Sequence, residues 1–133
     1  MFEWKPQYTL GIRTIDAQHQ RLFVLAQELH AAMAQGKGKA VLEKSLAGLV
    51  DYTKVHFAAE EQLMRQYQYQ ELEQHRREHD ALTIQVLAFQ SKFASGQLAL
   101  TVDLLKFLSD WLDKHILGSD QKYGAVLRAR LAA

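Results

Sequence analysis

Four long stretches of this sequence carry apolar residues at alternating intervals of three and four, the period at which a helix turns one face to a core. The only proline, Pro6, precedes all four, so no later residue is an obligate helix breaker. In the first stretch His19, Leu22, Ala26, Leu29 and Met33 share a face; with Asp16 as N-cap and Gly36 and Gly38 as terminators, a helix is expected from about Asp16 to Gln35. The second seam reads Leu42, Leu46, Leu49, Thr53, His56, Glu60 and Leu63, and the third reads Leu72, His75, His79, Leu82, Val86, Phe89 and Phe93, stopping near Ser95 and Gly96. The fourth begins at Thr101, an expected N-cap, and reads Leu104, Leu108, Trp111 and His115; a last short segment, Gln121 to Leu131, should pack across an end of the assembly. No strand alternation or internal repeat is visible. Short connections favour antiparallel neighbours. The expected fold is all-α: an antiparallel up-down-up-down four-helix bundle with an N-terminal arm, Met1 to Ile15, and a short C-terminal helix, in one domain over residues 1–133.

Composition narrows the function. Hydrophobic residues make up 48% and charged residues 23%, the balance of a globular domain. The formal charge is +1 and the lysines and arginines are interleaved with acids, so the basic patch of a nucleic-acid binder is missing and no such partner is expected. The absence of cysteine removes disulfides, iron–sulfur clusters and thiolate metal sites, which leaves nitrogen and oxygen as metal donors. Neither a signal-like amino terminus nor an apolar run approaching the roughly 20 residues of a membrane span is visible, so membrane insertion is not expected and a cytoplasmic location is.

The informative anomaly is that histidines and carboxylates hold seam positions where a bundle would normally place leucine, isoleucine or valine. A buried, unmatched carboxylate costs several kcal/mol, and coordination of a cation is one of the few ways to offset that. His56 and Glu60 are four apart, as are His75 and His79, so each pair lies on one helix face about one turn apart and can grip a common ion. His19 and His115 add donors from the other two helices. Asp120 follows His115 by five residues, a rotation of roughly 140° on a regular helix, so it reaches the same place only at a helix end or a local distortion, for which Gly118 leaves room. An isolated His-x-x-x-His is weak evidence for metal; five histidines and two carboxylates on four seams are not readily reconciled with folding unless a cation joins them. Seven protein donors exceed the six positions of one octahedral ion, so at least two metals are expected.

These residues resemble the hemerythrin family, whose pattern is a histidine on the first helix, His-x-x-x-Glu on the second, His-x-x-x-His on the third and His-x-x-x-x-Asp on the fourth. His19, His56, Glu60, His75, His79, His115 and Asp120 match it throughout. The flanking residues agree too: Gly11, Ile15-Asp16-Ala17-Gln18, Phe57-Ala58-Ala59 with Glu61 and Leu63-Met64, Trp111 to Lys114 with Ile116, and the run to Tyr123. One departure falls between the second and third helices, where many bacterial members have Gly-Tyr-Pro and this chain has Gln68, Tyr69 and Gln70, which puts the conformation of that turn in question.

The resemblance implies two non-haem iron ions, bridged by carboxylates and an oxo or hydroxo group. His75, His79 and His115 would serve one iron and His19 and His56 the other, with Glu60 and Asp120 shared. It implies reversible dioxygen binding, for storage, transport or delivery, at the iron with fewer histidines, and an oxygen pocket made of Phe57, Trp111, Leu112 and Ile116. Dioxygen is then the expected ligand, an oxygen-consuming enzyme a candidate recipient, and catalysis is not expected. The alternative is oxygen or redox sensing through a separate partner protein. His30, eleven residues beyond His19 and roughly 16 Å farther along, reads as structural. Glu61, Asp110 and Asp113 read as solvated charges, with Glu61 also placed to accept from a ligand imidazole.

Overall fold

The computed structural model describes residues 1–132; Ala133, the last residue of the expected domain, lies outside them. Its elements are α1 (Arg13–Ala34), α2 (Lys39–Gln66), α3 (Leu72–Ala94), α4 (Val102–His115), a π-helical turn (Ile116–Asp120) and α5 (Gln121–Ala132), preceded by a single 3-10 turn at Pro6–Tyr8. No strand occurs among the described residues. The four helices form the expected bundle, and the alternation of direction is legible in one fact. His19 near the start of α1, His56 in the second half of α2, His75 near the start of α3 and His115 at the end of α4 all meet at one end. Leu22, Ala26, Leu29, Leu46, Leu49, Leu82, Leu105 and Leu108 fill the layers beyond it, each buried on the seam face of its helix.

Two sequence expectations need correction at the amino terminus. Helix α1 starts at Arg13 with Ile12 as its N-cap, three residues before the expected start, and the arm is correspondingly shorter. Asp16 lies in the first turn, where its carboxylate accepts from the amides of Leu10 at 2.7 Å and Gly11 at 3.1 Å. It therefore satisfies the backbone of the arm as it turns into the helix, rather than the helix's own amides. Gly11 permits that turn: its φ is +85°, and an added Cβ would stand 2.8 Å from Cδ of Arg128 on α5. Asp113, read as solvated, instead accepts from the Tyr8 hydroxyl at 2.7 Å, so the arm is tied to α4 across the bundle. Thr101 caps α4 as expected, its hydroxyl accepting from the Leu104 amide at 3.3 Å.

Three of the helices end in the same way. After α1, Gly36 N–H bonds to Met33 and Lys37 N–H to Ala32; after α3, Gly96 N–H bonds to Phe93 and Gln97 N–H to Lys92. After α2, Gln68 N–H bonds to Arg65 and Tyr69 N–H to Met64, the same paired closure of the last carbonyls. Each closure needs one left-handed residue, supplied by Gly36 at φ +67° and Gly96 at φ +82°, but by Gln68 at φ +55° after α2. The departure at Gln68 thus leaves the turn's conformation intact and places a side chain where glycine is favoured. Gln68→Gly should raise the unfolding free energy by about 0.5–1 kcal/mol in urea titrations. A loss of stability would show that Gln68 makes compensating contacts through its side chain.

Candidate metal centre

Seven buried polar side chains converge at the closed end of the bundle: His19, His56, Glu60, His75, His79, His115 and Asp120. Helical spacing delivers six of them. Asp120 arrives because α4 widens into a π turn immediately after His115, and i→i+5 bonding brings residues five apart onto one face. Gly118 in that turn has open space where a Cβ would sit, so the widening does not depend on a missing side chain there. Ser119 secures it instead, donating from Oγ to Glu78 Oε1 on α3 at 2.8 Å.

The ligating atoms face inward in two groups that share Glu60. One comprises Glu60, His75, His79, His115 and Asp120, with candidate ligand atoms within 4.8 Å of one another; the other comprises His19, His56 and Glu60. Asp120 spans them, with Oδ1 at 3.0 Å from His75 Nε2 and 3.2 Å from His115 Nε2, and Oδ2 at 3.2 Å from His19 Nε2. Glu60 does likewise, its Oε1 lying 3.1 Å from His56 Nε2 and 3.4 Å from His79 Nε2.

These residues fit a cation for a reason of proton accounting. His79 Nδ1 donates to Glu61 Oε2 at 2.9 Å and His56 Nδ1 donates to Gln18 Oε1 at 2.7 Å. Those outward bonds fix the tautomer of a neutral ring and leave the Nε2 lone pair pointing inward. The lone pair of His79 then meets His115 Nε2 at 3.2 Å, and that of His56 meets a carboxylate oxygen. Atoms left without a hydrogen-bond partner include His19 Nε2, His56 Nε2, His75 Nε2, Glu60 Oε1 and both oxygens of Asp120, all buried. Lone pairs facing lone pairs at such distances repel unless positive charge lies between them, and metal ions satisfy all of them together.

The hemerythrin HHE cation binding domain family matches residues 10–127. The chain is 35% identical over 128 residues to a bacteriohemerythrin of Stenotrophomonas maltophilia, covering 96% of this chain and 82% of the relative. It is also 35% identical to one from Methylococcus capsulatus, covering 92% and 93%. A crystal structure of wild-type hemerythrin superimposes with a TM-score of 0.88 at 31% identity, covering 92% of this chain and 95% of the other. The chain belongs to the hemerythrin family.

The hemerythrin-type centre is bounded on one side by aromatic and aliphatic groups. Phe57 stacks on His79 with centroids 3.8 Å apart, and Trp111 stacks on His115 at 4.3 Å. Ile116 is buried in the π turn. Leu112 is partly buried and lines an apolar cavity of about 40 Å³, one layer above the donors, together with Leu22, Leu82 and Leu108. Glu61 accepts from a histidine of the cluster, as its place beside Glu60 suggested; His30, half-buried on α1, stays outside the cluster. Sequence reasoning missed three residues. Gln18 precedes His19 yet serves His56; Glu78 precedes His79 yet faces His115 Nδ1 at 3.9 Å; Tyr123, fully buried, donates its hydroxyl to Glu60 Oε2. The signal for Tyr123 was its position three residues after Asp120, on the helix that follows the π turn.

Electrostatics binds the cluster tightly. In metal-stripped protein a proton takes the cation's place on His19: burial opposes that charge, but hydrogen bonding of the protonated ring to Asp120 and Glu60 prevails and holds its pKa up at about 10. Burial likewise opposes ionisation of Glu60, yet His56, His19 and His79 hold it well below its ordinary 4.5. Burial, reinforced by Glu60 and Asp120, keeps the Tyr123 phenol protonated. For metal-stripped protein the stabilisation from His19 is complete below its ordinary 6.5 and is lost as pH rises through about 10. That from Glu60 is complete above 4.5 and is lost as pH falls towards its depressed value. Urea midpoints of stripped protein should therefore be highest between about pH 4.5 and 6.5 and fall on both sides. Metal loading should remove the alkaline fall, because a cation then replaces the His19 proton; a midpoint of stripped protein that climbs steadily to pH 10 would contradict this account.

Proposed function

We propose that this chain binds dioxygen reversibly at a di-iron centre, for storage or delivery rather than for turnover. The observation that carries the reading is the unequal division of donors: five protein groups gather on the His75, His79 and His115 side and four on the His19 and His56 side, with Glu60 and Asp120 common to both. The smaller set leaves space for an external ligand. Two iron ions bound there would supply the open coordination position and the reducing equivalents that dioxygen binding requires.

The chain's own residues account for the rest. Glu60 and Asp120 hold the two donor sets at a fixed separation, each presenting oxygen atoms to histidines of both. Gln18 and Glu61 lock two imidazole rings in the orientation that turns Nε2 inward. Tyr123 anchors Glu60 while keeping its own proton, so the carboxylate is steadied without losing its charge. Phe57, Leu112 and Ile116 present no polar group and Trp111 lays its ring face on His115, so this side would keep water away from the ligand position. Five imidazoles with two carboxylates make a less anionic donor set than the four carboxylates and two histidines of ferritin-like di-iron proteins. That composition stabilises high-valent metal less well and disfavours O–O cleavage. The leading location for such a carrier is the cytoplasm; no described helix is long and apolar enough to cross a membrane.

Anaerobically reduced protein should contain two irons per chain and, on mixing with air, develop an absorption spectrum that is reversed by removing oxygen. His30→Ala should leave both properties unchanged. Oxygen consumption with no reversible spectrum would replace carriage with turnover, and one iron per chain would overturn the di-iron reading. Leu112→Ala should retain both irons yet lose the oxygenated spectrum several-fold faster, because the deleted side chain leaves room for water beside the donors. Its stability cost should be about 2 kcal/mol, the low end for buried leucines, because Leu112 is only partly buried. Unchanged decay with intact iron would show that the shield lies in the aromatic pair alone.

A further inference from the structure

The donors are walled by apolar groups towards Phe57 and Trp111, by the leucine layer towards the middle of the bundle and by Met64, Tyr123 and Leu127 below. A hydrated divalent cation crosses such walls at great cost, since it gives up water without gaining oxygen ligands. One side differs. A crevice of about 60 Å³ runs between α3 and the start of α5, lined by Glu71, Gln74, His75, Glu78, Ser119 and Lys122, with the Tyr69 ring as its one aromatic wall. Its mouth is spanned by an exposed ion pair, Lys122 Nζ to Glu71 at 2.7 Å. Its middle holds the Glu78 carboxylate, about one-third exposed, with one oxygen on Ser119 and the other 3.9 Å from His115 Nδ1. Its floor is the ring of His75, only 3% exposed, whose partnerless Nε2 lies on the inner side against Asp120. His75 therefore belongs both to the crevice and to the five-donor group.

We infer that this crevice is the portal through which the divalent metal ion reaches the buried donors, with the Lys122–Glu71 pair as its outer gate and Glu78 as the carboxylate that leads inward. Opening the ion pair frees the Glu71 carboxylate, while Lys122 no longer opposes an approaching cation. Glu71, the Gln74 amide, Glu78 and the Ser119 hydroxyl then offer oxygen atoms in succession, so hydration water is exchanged stepwise rather than stripped at once. A swing of the His75 ring completes the path, and the ion arrives at the larger donor set first. The inference rests on the reading that the cluster holds metal.

Cobalt(II) tests it without oxygen chemistry, through its visible absorption when bound. Release from fully loaded protein into excess chelator and reloading of stripped protein are timed at one ionic strength. A portal residue alters both directions alike. Lys122→Ala, which touches no donor, should speed release and loading together, on the order of tenfold, and leave their ratio unchanged. Glu78→Gln should slow loading by a comparable factor. Asp110→Asn removes the same charge from an exposed site beside the N-terminal arm and should alter loading less than twofold. Unaltered rates in both crevice variants would overturn the portal, as would an Asp110→Asn effect equal to that of Glu78→Gln. Release rates that merely follow each variant's stability in urea would overturn it too, by showing that the ion escapes through unfolding. A wild-type chain that binds no cobalt would overturn the metal reading along with the portal, a result visible in stoichiometry before any rate is measured.

Discussion

Two carboxylates buried without exposure among five imidazoles are the constraint on which the rest of this molecule depends. Glu60 and Asp120 are each 0% exposed, and a protein of this size could not tolerate such charges unless the surrounding groups or a bound cation matched them. The histidines supply the match in part, but the outward nitrogens of His56 and His79 are committed to Gln18 and Glu61, so a neutral ring at either position turns a lone pair inward. Remove the cation, and the facing lone pairs and buried charges are matched only in part, which weakens the donor end. Bundle topology answers the same demand. Four helices alternating in direction bring the ends that carry donors together, and the π turn spends regular helical hydrogen bonding to bring Asp120 into the ring.

Most of this was legible in sequence because the donors stand on seam positions at helical spacing. A histidine at a leucine position is conspicuous, and His56 with Glu60, or His75 with His79, needs only the i,i+4 rule to be seen as a pair. Asp120 was legible only as a geometric demand: a five-residue step cannot share a face on a regular helix, and the π turn is how the backbone resolves it. The residues behind the donors were not legible, for a physical reason. Gln18, Glu78 and Tyr123 each serve a partner on another helix, so their roles depend on the rotation and depth of helices relative to one another, which period alone does not fix. The two misread acids fail for a related reason. Asp16 and Asp113 are spoken for by the arm, and a segment without periodicity gives no sign of where it will lie.

The arm and α5 are what close the donor end. Arg128 on α5 donates to the Leu10 carbonyl, Gln121 reaches the carbonyls of Gln7 and Thr9, and Tyr8 bonds to Asp113, so these hydrogen bonds hold the arm against α4 and α5. Trp4, Tyr8 and Phe23 pack together beneath it. A four-helix bundle alone would leave the donor end open to water, where the high dielectric would weaken every interaction among the donors. Covering it strengthens those interactions, raises the cost of leaving any of them unmatched, and so makes the site more dependent on the ion it holds.

On the proposed function, that closure creates a conflict between the two things the site would have to admit. Dioxygen is small and apolar and favours a dry passage; a metal ion is charged and needs oxygen atoms throughout its approach. The two sides of the cluster are separated accordingly. Phe57, Trp111 and the Leu112 cavity lie on one side, where a polar group would bring in the water that shortens the life of a bound ligand. Glu71, Glu78, Ser119 and Lys122 lie on the other, behind His75, where an apolar wall would bar the ion. Because the polar side abuts the larger donor set and not the pair His19 and His56, water standing in the crevice would meet the side where protein donors are most numerous. On the proposed function the unequal division of donors thus does two jobs with one geometry: it would leave room for an external ligand on the His19 and His56 side, and it would let the molecule keep a polar crevice without flooding the place of that ligand.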